Sequence, residues 1–204
     1  MIKTIIFDLG NVIVNVNHKP MFKKFASASN KSLPYITDYY ENSAIRKQFD
    51  TGKIDATKFY QEFAKGLNLK MSFKEFKKTY CDIFILNKDV ANLIKNLKKN
   101  YRLILLSNTD ILHYEYIKNK YKIVNIFDDY VLSYKAGCRK PNPLIFLTAL
   151  RKVKTLPFNC LYFDDIAEFV YIARVMGIRA FQYKNFGKLV NDLKMVKVYQ
   201  KLYK

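Results

Sequence analysis

The chain has 204 residues, with 36 Lys and Arg against 17 Asp and Glu and a formal charge of +19. Half of its residues, 50%, are hydrophobic, enough for one well-buried domain or a core with a modest insertion, yet no apolar run approaches the roughly 20 residues that a membrane-spanning helix needs. Cys81, Cys138 and Cys160 are odd in number, widely separated and free of any C-x-x-C pairing, which argues against a disulfide framework or a zinc ribbon and leaves structural thiols as the expectation.

In chain order, the apolar run from Ile2 to Phe7 reads as a strand that stops at Asp8. It is too short for the apolar stretch of a secretion signal, so the expected location is cytoplasmic, with no membrane association. Between residues 18 and 86 the pattern changes to amphipathic segments without a convincing strand, such as Thr57 to Phe63 and Ser72 to Phe76. Ser32 and Asp55 stand where helix N-caps are expected, and Gly52 and Gly66 read as breaks between helical segments. From residue 87 onward helix and strand alternate. Strands are expected at Arg102 to Leu106, Tyr130 to Ser133, Cys160 to Phe163 and Arg179 to Tyr183. Helices are expected at Asn87 to Lys99, Asp110 to Lys120, Pro143 to Val153, Ala167 to Met176 and Phe186 to Val196. Such alternation builds a parallel sheet covered on both faces. The expected architecture is therefore α/β, a doubly wound parallel-sheet core (residues 1–17 and 87–204) with an inserted helical cap (residues 18–86).

The positive charge is mostly Lys and is spread along the chain. Pieces such as Lys95-Asn96-Leu97-Lys98-Lys99 place Lys beside apolar residues at helical spacing, the pattern of a solvated helix face. A nucleic-acid surface would concentrate basic residues on one element with interleaved aromatics, so nucleic acid stands as an alternative partner, not the favoured one. No pattern in the chain fixes an oligomeric state.

Open parallel sheets bind ligands beyond the carboxyl ends of their strands. Read in order, those ends carry Asp8, then Ser107-Asn108, then Lys140 in the loop after the third strand, then Asp164-Asp165. Taken singly, each has a bland reading: a helix cap, a turn, a solvated lysine. Taken together they supply what metal-assisted phosphoryl transfer requires. One carboxylate attacks, others hold a metal ion, and lysine, hydroxyl and amide groups stabilise the phosphoryl oxygens as they gain charge.

Four motifs carry a family resemblance: Phe7-Asp8-Leu9-Gly10-Asn11-Val12, Leu105-Leu106-Ser107-Asn108-Thr109, Arg139-Lys140-Pro141-Asn142-Pro143, and Phe163-Asp164-Asp165 followed by Gly177. In that order they resemble the haloacid dehalogenase superfamily over nearly the whole chain. The first motif is similar to that of the branch containing sugar-phosphate phosphatases of the glucose-1-phosphate type and the amino-terminal phosphatase domain of soluble epoxide hydrolase. The resemblance implies a Mg²⁺-dependent phosphatase acting on a small phosphorylated metabolite such as a sugar phosphate. It makes Asp8 the nucleophile and a metal ligand, the Gly10 main-chain carbonyl a second ligand, Asp165 a direct ligand and Asp164 a water-mediated one. Ser107 and Asn108 would bind phosphate, and Lys140 would pair with phosphate and Asp8.

One position departs from the pattern. Most phosphatases of the superfamily carry a second Asp two residues after the nucleophile, as general acid and base, and here that position is Gly10. Loss of such a group costs about 10² to 10⁴ in rate. Three readings follow: a phosphatase with a good leaving group, or with a proton supplied by water or by a cap residue such as His18; a 2-haloacid dehalogenase, which needs no general acid but also no metal; and a non-catalytic protein that binds phosphorylated ligand or nucleic acid. The acidic pair at the fourth core strand favours the first. Arg46, Lys47, His18, Tyr35, Tyr39 and Tyr40 are candidates to line the substrate cavity, although rings in a helical insertion more often pack in its own core. The sharpest structural expectation is that Asp8, Lys140 and Asp165 converge.

Overall fold

The structure, a computed structural model, describes residues 1–199; residues 200–204 of the expected core segment lie outside the described residues. The chain begins with β1 (Thr4–Phe7), every residue of which is buried. A turn leads to β2 (Val14–Val16), and five helices follow: α1 (Lys19–Ser29), α2 (Leu33–Asn42), α3 (Ala44–Asp50), α4 (Ala56–Leu67) and α5 (Phe73–Cys81). The chain then returns through β3 (Phe84–Leu86), which pairs antiparallel with β2. The sequence reading expects no strand in this stretch. β3 has three residues, too few to show a period, and it is a strand because β2 supplies its partner.

Local chemistry sets the helix starts. The Ser32 and Asp55 side chains accept from the N–H groups of Tyr35 and Lys58, and Ser72 and Glu75 form a reciprocal capping box at α5. Gly66 is not a break: it lies inside α4, where a Cβ would come within 2.0 Å of the Tyr39 hydroxyl. Gly52 does end a segment, with φ +68° and a Cβ position 2.0 Å from the Tyr134 carbonyl oxygen, so no larger residue fits between the insert and the loop it faces.

Beyond β3 the elements are α6 (Lys88–Lys98), β4 (Arg102–Ser107), α7 (Ile111–Lys120), β5 (Asp129–Leu132), the single turn α8 (Ser133–Ala136), α9 (Pro143–Val153), β6 (Cys160–Asp164), α10 (Ala167–Val175), β7 (Arg179–Gln182) and α11 (Phe186–Met195). Apart from α8, a turn of helix not expected from the sequence, these expected elements differ only at their ends. Asn87 and Asp110 are N-caps, their side chains accepting from Val90 N and His113 N. The five core strands run parallel in the order β5-β4-β1-β6-β7. Strand alternation divides the core in two: Ile5, Phe7, Leu103, Leu105, Leu161 and Phe163 pack on one face, and Ile6, Ile104, Leu106 and Tyr162 on the other. Cys81 and Cys160 are buried free thiols, raised to about 12 and about 11 by burial, which keeps them unreactive. Among the described residues no helix is long and apolar enough to cross a membrane. Because β1 lies between β4 and β6, the connections leave it in opposite directions, and its carboxyl end opens the crevice in which such sheets bind ligands.

Candidate active site

Strand register brings the acidic groups together. Phe7 is level with Leu105 on one side and Phe163 on the other, so Asp8 and Asp164 emerge side by side from β1 and β6. Lys140 reaches between them. Its Nζ lies 2.8 Å from Asp8 Oδ1, 2.6 Å from Asp164 Oδ2 and 3.2 Å from the Leu106 carbonyl oxygen, and it is 1% exposed. The Tyr162 hydroxyl donates to Asp164 and lies 3.1 Å from the ammonium. A lysine so placed has every donor occupied, and the two carboxylates hold its pKa above the usual lysine range although burial works against the charge.

The loop carrying Lys140 is fixed by the Asn108 side chain, whose Nδ2 donates to the Lys140 carbonyl (2.9 Å) and whose Oδ1 accepts from the Lys140 N–H (2.8 Å). This differs from a side chain waiting for phosphate: the Asn108 amide group is occupied in positioning the lysine. Ser107 is 2% exposed and lines the cavity beside it.

Carboxylate oxygens of Asp8, Asp164 and Asp165 all lie within 4.8 Å of one another. With all three carboxyls ionised, the one ammonium would leave a charge of −2, and two of the carboxyls are shifted toward the neutral form. Asp8 is pushed up to about 7, chiefly by burial, with Lys140 opposing and the Asp164 charge adding. Asp165 is raised as well, by burial first, against a hydrogen bond from Asn11. An oxygen-only donor set with surplus negative charge fits a hard divalent cation and gives no thiolate or imidazole for a softer one. Asp8, Lys140, Asp164 and Asp165 thus converge, and Gly10 lines the cavity next to them.

The sequence reading assigned no task to Asn11, which has one in the structure. With φ at 53°, a conformation Asn tolerates better than most residues, it donates through Nδ2 to Asp165 Oδ2 (3.1 Å) and accepts from the Val16 N–H (3.1 Å). It ties the turn after β1 to both the acidic pair and the start of the insert. Its presence in the first motif was the only signal.

A cavity of about 180 Å³ lies between the strand ends and the insert. Gly10, Ser107, Asn108 and Arg139 line it from the sheet side, and His18, Tyr40, Arg46 and Asp50 from the other. Three of the expected lining residues are there, His18, Tyr40 and Arg46. Lys47, Tyr35 and Tyr39 are not among the lining residues: Tyr35 is 46% exposed, and the Tyr39 ring packs against Phe63 at 5.2 Å. The His18 ring lies against Phe22 and Tyr40 at 5.5 and 5.3 Å. Burial first, then the neighbouring His113 and Arg46, lower its pKa to about 4. At neutral pH it holds no imidazolium proton, which speaks against His18 as the donor to a leaving group. Asp50, Arg139, Asp110 and His113 were not anticipated as lining residues. Asp110 accepts from the Tyr80 hydroxyl and lies against His113 Nδ1, both at 2.9 Å, joining α5 to α7 behind the cavity.

Comparison with known proteins adds to this geometry. The model of the haloacid dehalogenase-like hydrolases matches residues 2–174. A D-ribitol-5-phosphate phosphatase of Bacteroides thetaiotaomicron is 27% identical over 204 aligned positions, covering 96% of this chain and 98% of that protein. Among solved structures, a HAD family enzyme of the same organism, in complex with magnesium and inorganic phosphate, superposes with a TM-score of 0.83 at 23% identity, covering 93% of this chain and 99% of that one. An HAD-like family hydrolase of Porphyromonas gingivalis gives a TM-score of 0.83 at 21% identity, with 96% and 98% covered. At those identities the two structures bear on the fold.

Proposed function

This chain belongs to the haloacid dehalogenase-like hydrolase family, and on that premise we propose that it is a magnesium-dependent phosphatase that moves the phosphoryl group of a small metabolite to Asp8 and then to water. The observation that carries the reading is the buried Asp8–Lys140–Asp164 chain beside Asp165, at the carboxyl end of the central strand. The relative that hydrolyses D-ribitol 5-phosphate, by its name, supports a sugar or sugar-alcohol phosphate as substrate.

Each residue has a task in this reaction. Lys140 holds Asp8 Oδ1, leaving the second carboxylate oxygen to attack phosphorus while the bond to the ester oxygen breaks. The Ser107 hydroxyl and the Asn108 main-chain N–H receive the phosphoryl oxygens, and the positive charge of Lys140, beside Asp8, offsets theirs. Asp8, Asp165 and the Gly10 carbonyl would ligate magnesium, with Asp164 acting through water. The last assignment suits the fact that both Asp164 oxygens already accept bonds, from Lys140 and Tyr162 on one side and Ile166 N on the other. Bound magnesium would neutralise charge between the phosphate and the carboxylates, easing the approach of two anions. Water then attacks phosphorus and Asp8 is released as carboxylate.

With glycine at position 10, no side chain there can hand a proton to the leaving oxygen. Water admitted to the cavity supplies it, and esters with acidic leaving groups gain most. The segment from residue 18 to 86 acts as the cap that closes over the substrate, with β2 and β3 as its stem. A haloacid dehalogenase would use Asp8 equally but has no need of the Asp164–Asp165 pair.

The test is hydrolysis of p-nitrophenyl phosphate by the native protein and Asp8→Asn, with and without Mg²⁺. Metal-dependent turnover that falls by about 10⁴ or more in the variant is expected, the scale on which loss of a nucleophile acts. Absence of turnover on every phosphate ester, together with salt-sensitive retention of nucleic acid during purification, would replace this reading with that of a binding protein.

A further inference from the structure

The cavity is also lined by charged groups that the reaction does not use. Asp50, the last residue of α3, is 8% exposed, and its Oδ2 lies 3.1 Å from Arg139 Nη1 and 3.8 Å from Arg46 Nε. Arg139 precedes Lys140 in the chain, so this carboxylate meets the loop that carries the buried lysine. Arg46 is braced on its other side: its guanidinium sits 4.3 Å from the Tyr40 ring centroid and donates through Nη1 to the Tyr40 carbonyl oxygen at 3.3 Å. All four residues line the cavity with Gly10, Ser107 and Asn108.

We infer that Arg46, Asp50 and Arg139 read the hydroxyl groups of the leaving group, so that the site selects phosphate esters of hydroxylated carbon chains, polyols or sugars, over the same chains without hydroxyls. This rests on the phosphatase reading and adds the residues that give it specificity. A hydroxyl both donates and accepts, and a carboxylate set between two guanidinium groups offers acceptor and donors side by side. An alkyl chain in the same place would displace water from Arg46, Asp50 and Arg139 and return no hydrogen bond, the situation in which a polar site rejects its apolar analogue most strongly. A leaving group with a second anionic group would compete with Asp50 for Arg46 and Arg139 and leave that buried carboxylate without its partners. The bracing of Arg46 by Tyr40 lowers the entropy lost when a substrate is bound.

The experiment compares kcat/KM of the native protein for a pentitol 5-phosphate, n-pentyl phosphate, 3-phosphoglycerate and p-nitrophenyl phosphate in the presence of Mg²⁺. The pentitol ester is expected to exceed n-pentyl phosphate, which has the same number of carbons, by about 10² or more, and to exceed 3-phosphoglycerate. In Asp50→Asn the pentitol-to-pentyl ratio should fall at least about tenfold, through a higher KM for the pentitol ester. A native ratio near unity, a preference for 3-phosphoglycerate, or an Asp50→Asn variant that slows both esters by one common factor would overturn the inference, the last by making Asp50 a structural tie between insert and core. Because the first comparison uses native protein, a variant that fails to fold does not remove the test. Turnover of p-nitrophenyl phosphate separates the two layers: where it is present, those outcomes overturn the specificity inference alone, and where it is absent, both readings fall.

Discussion

On the sheet side of the cavity, Asp8, Lys140, Asp164 and Asp165 are placed by backbone: three stand at the ends of parallel strands in fixed register, and the lysine's loop is held by the Asn108 side chain. In the insert, position is set by rings. Phe59 stacks on Phe49 at 4.3 Å, Phe25 on Phe76 at 5.5 Å, and Phe76 on Tyr80 at 5.3 Å, with Tyr80 lying 4.1 Å from His113 of the core. The polar groups that face the cavity from this side, His18, Arg46 and Asp50, hang from a packed aromatic core. Charge placed by hydrogen-bonded strands tolerates little movement, which suits a centre whose chemistry depends on it. A ring-packed unit on a two-stranded stem can differ in its inward side chains without disturbing that centre.

The largest test of this contrast is Lys140→Met, which keeps bulk and removes charge. It leaves Asp8 and Asp164 buried without their cation, so stability should fall by about 3–5 kcal/mol in urea unfolding, and phosphatase activity by at least about 10². Equal stability of variant and native protein would show that the cluster is not the tightly balanced unit described above. Phe59→Ala, at 0% exposure, should cost a similar amount of about 3–5 kcal/mol, yet leave kcat of the folded fraction within about tenfold, because loss of ring packing does not alter the transition-state charge balance. A kcat loss matching that of Lys140→Met would erase the distinction between the two sides.

Gly10→Asp probes the chemistry itself. A Cβ there meets Val16 Cγ2 at 3.6 Å, an ordinary contact, and Gly10 is not among the positive-φ residues, so the backbone accepts a side chain at this position. Hydrolysis of alkyl phosphates should rise by up to about 10² while aryl phosphates change less; an equal change in both would mean that protonation of the leaving group does not limit the native reaction.

The smallest expected effect is on pH dependence through His18. Its folded pKa of about 4 lies below the unfolded value of 6.5. Between these values the unfolded chain binds more protons, so stability rises with pH. The contribution is full above 6.5 and is lost as pH falls toward 4. The ring is half-buried, and solvent screening reduces the effect to about 1 kcal/mol. His18→Gln should therefore lose less stability than native protein between about pH 7.5 and about pH 5 in urea titrations; parallel losses would count against a neutral His18.

The sheet side was legible in the sequence because parallel strands all end on the same edge of the sheet, so Asp8, Ser107, Lys140 and Asp164 could be read as neighbours before any contact was known. Asn11 and Tyr162 stood in plain view, yet their bonds to Asp165 and Asp164 depend on turn geometry and on a face of β6 that a residue pattern does not specify. The insert was legible as helices through its caps at Ser32 and Asp55. Its inward face was not: Tyr39 and Tyr40 are adjacent in sequence, but one packs on Gly66 and the other lines the cavity. β3 escaped notice because three residues form a strand only beside β2.

The central claim is that Asp8 carries the phosphoryl group. Rapid acid quench of the native protein turning over p-nitrophenyl phosphate with Mg²⁺, followed by peptide mass spectrometry, should recover a phosphorylated peptide containing Asp8 and none from Asp8→Asn. Undiminished turnover in Asp8→Asn with no phosphorylated peptide in either protein would contradict the account.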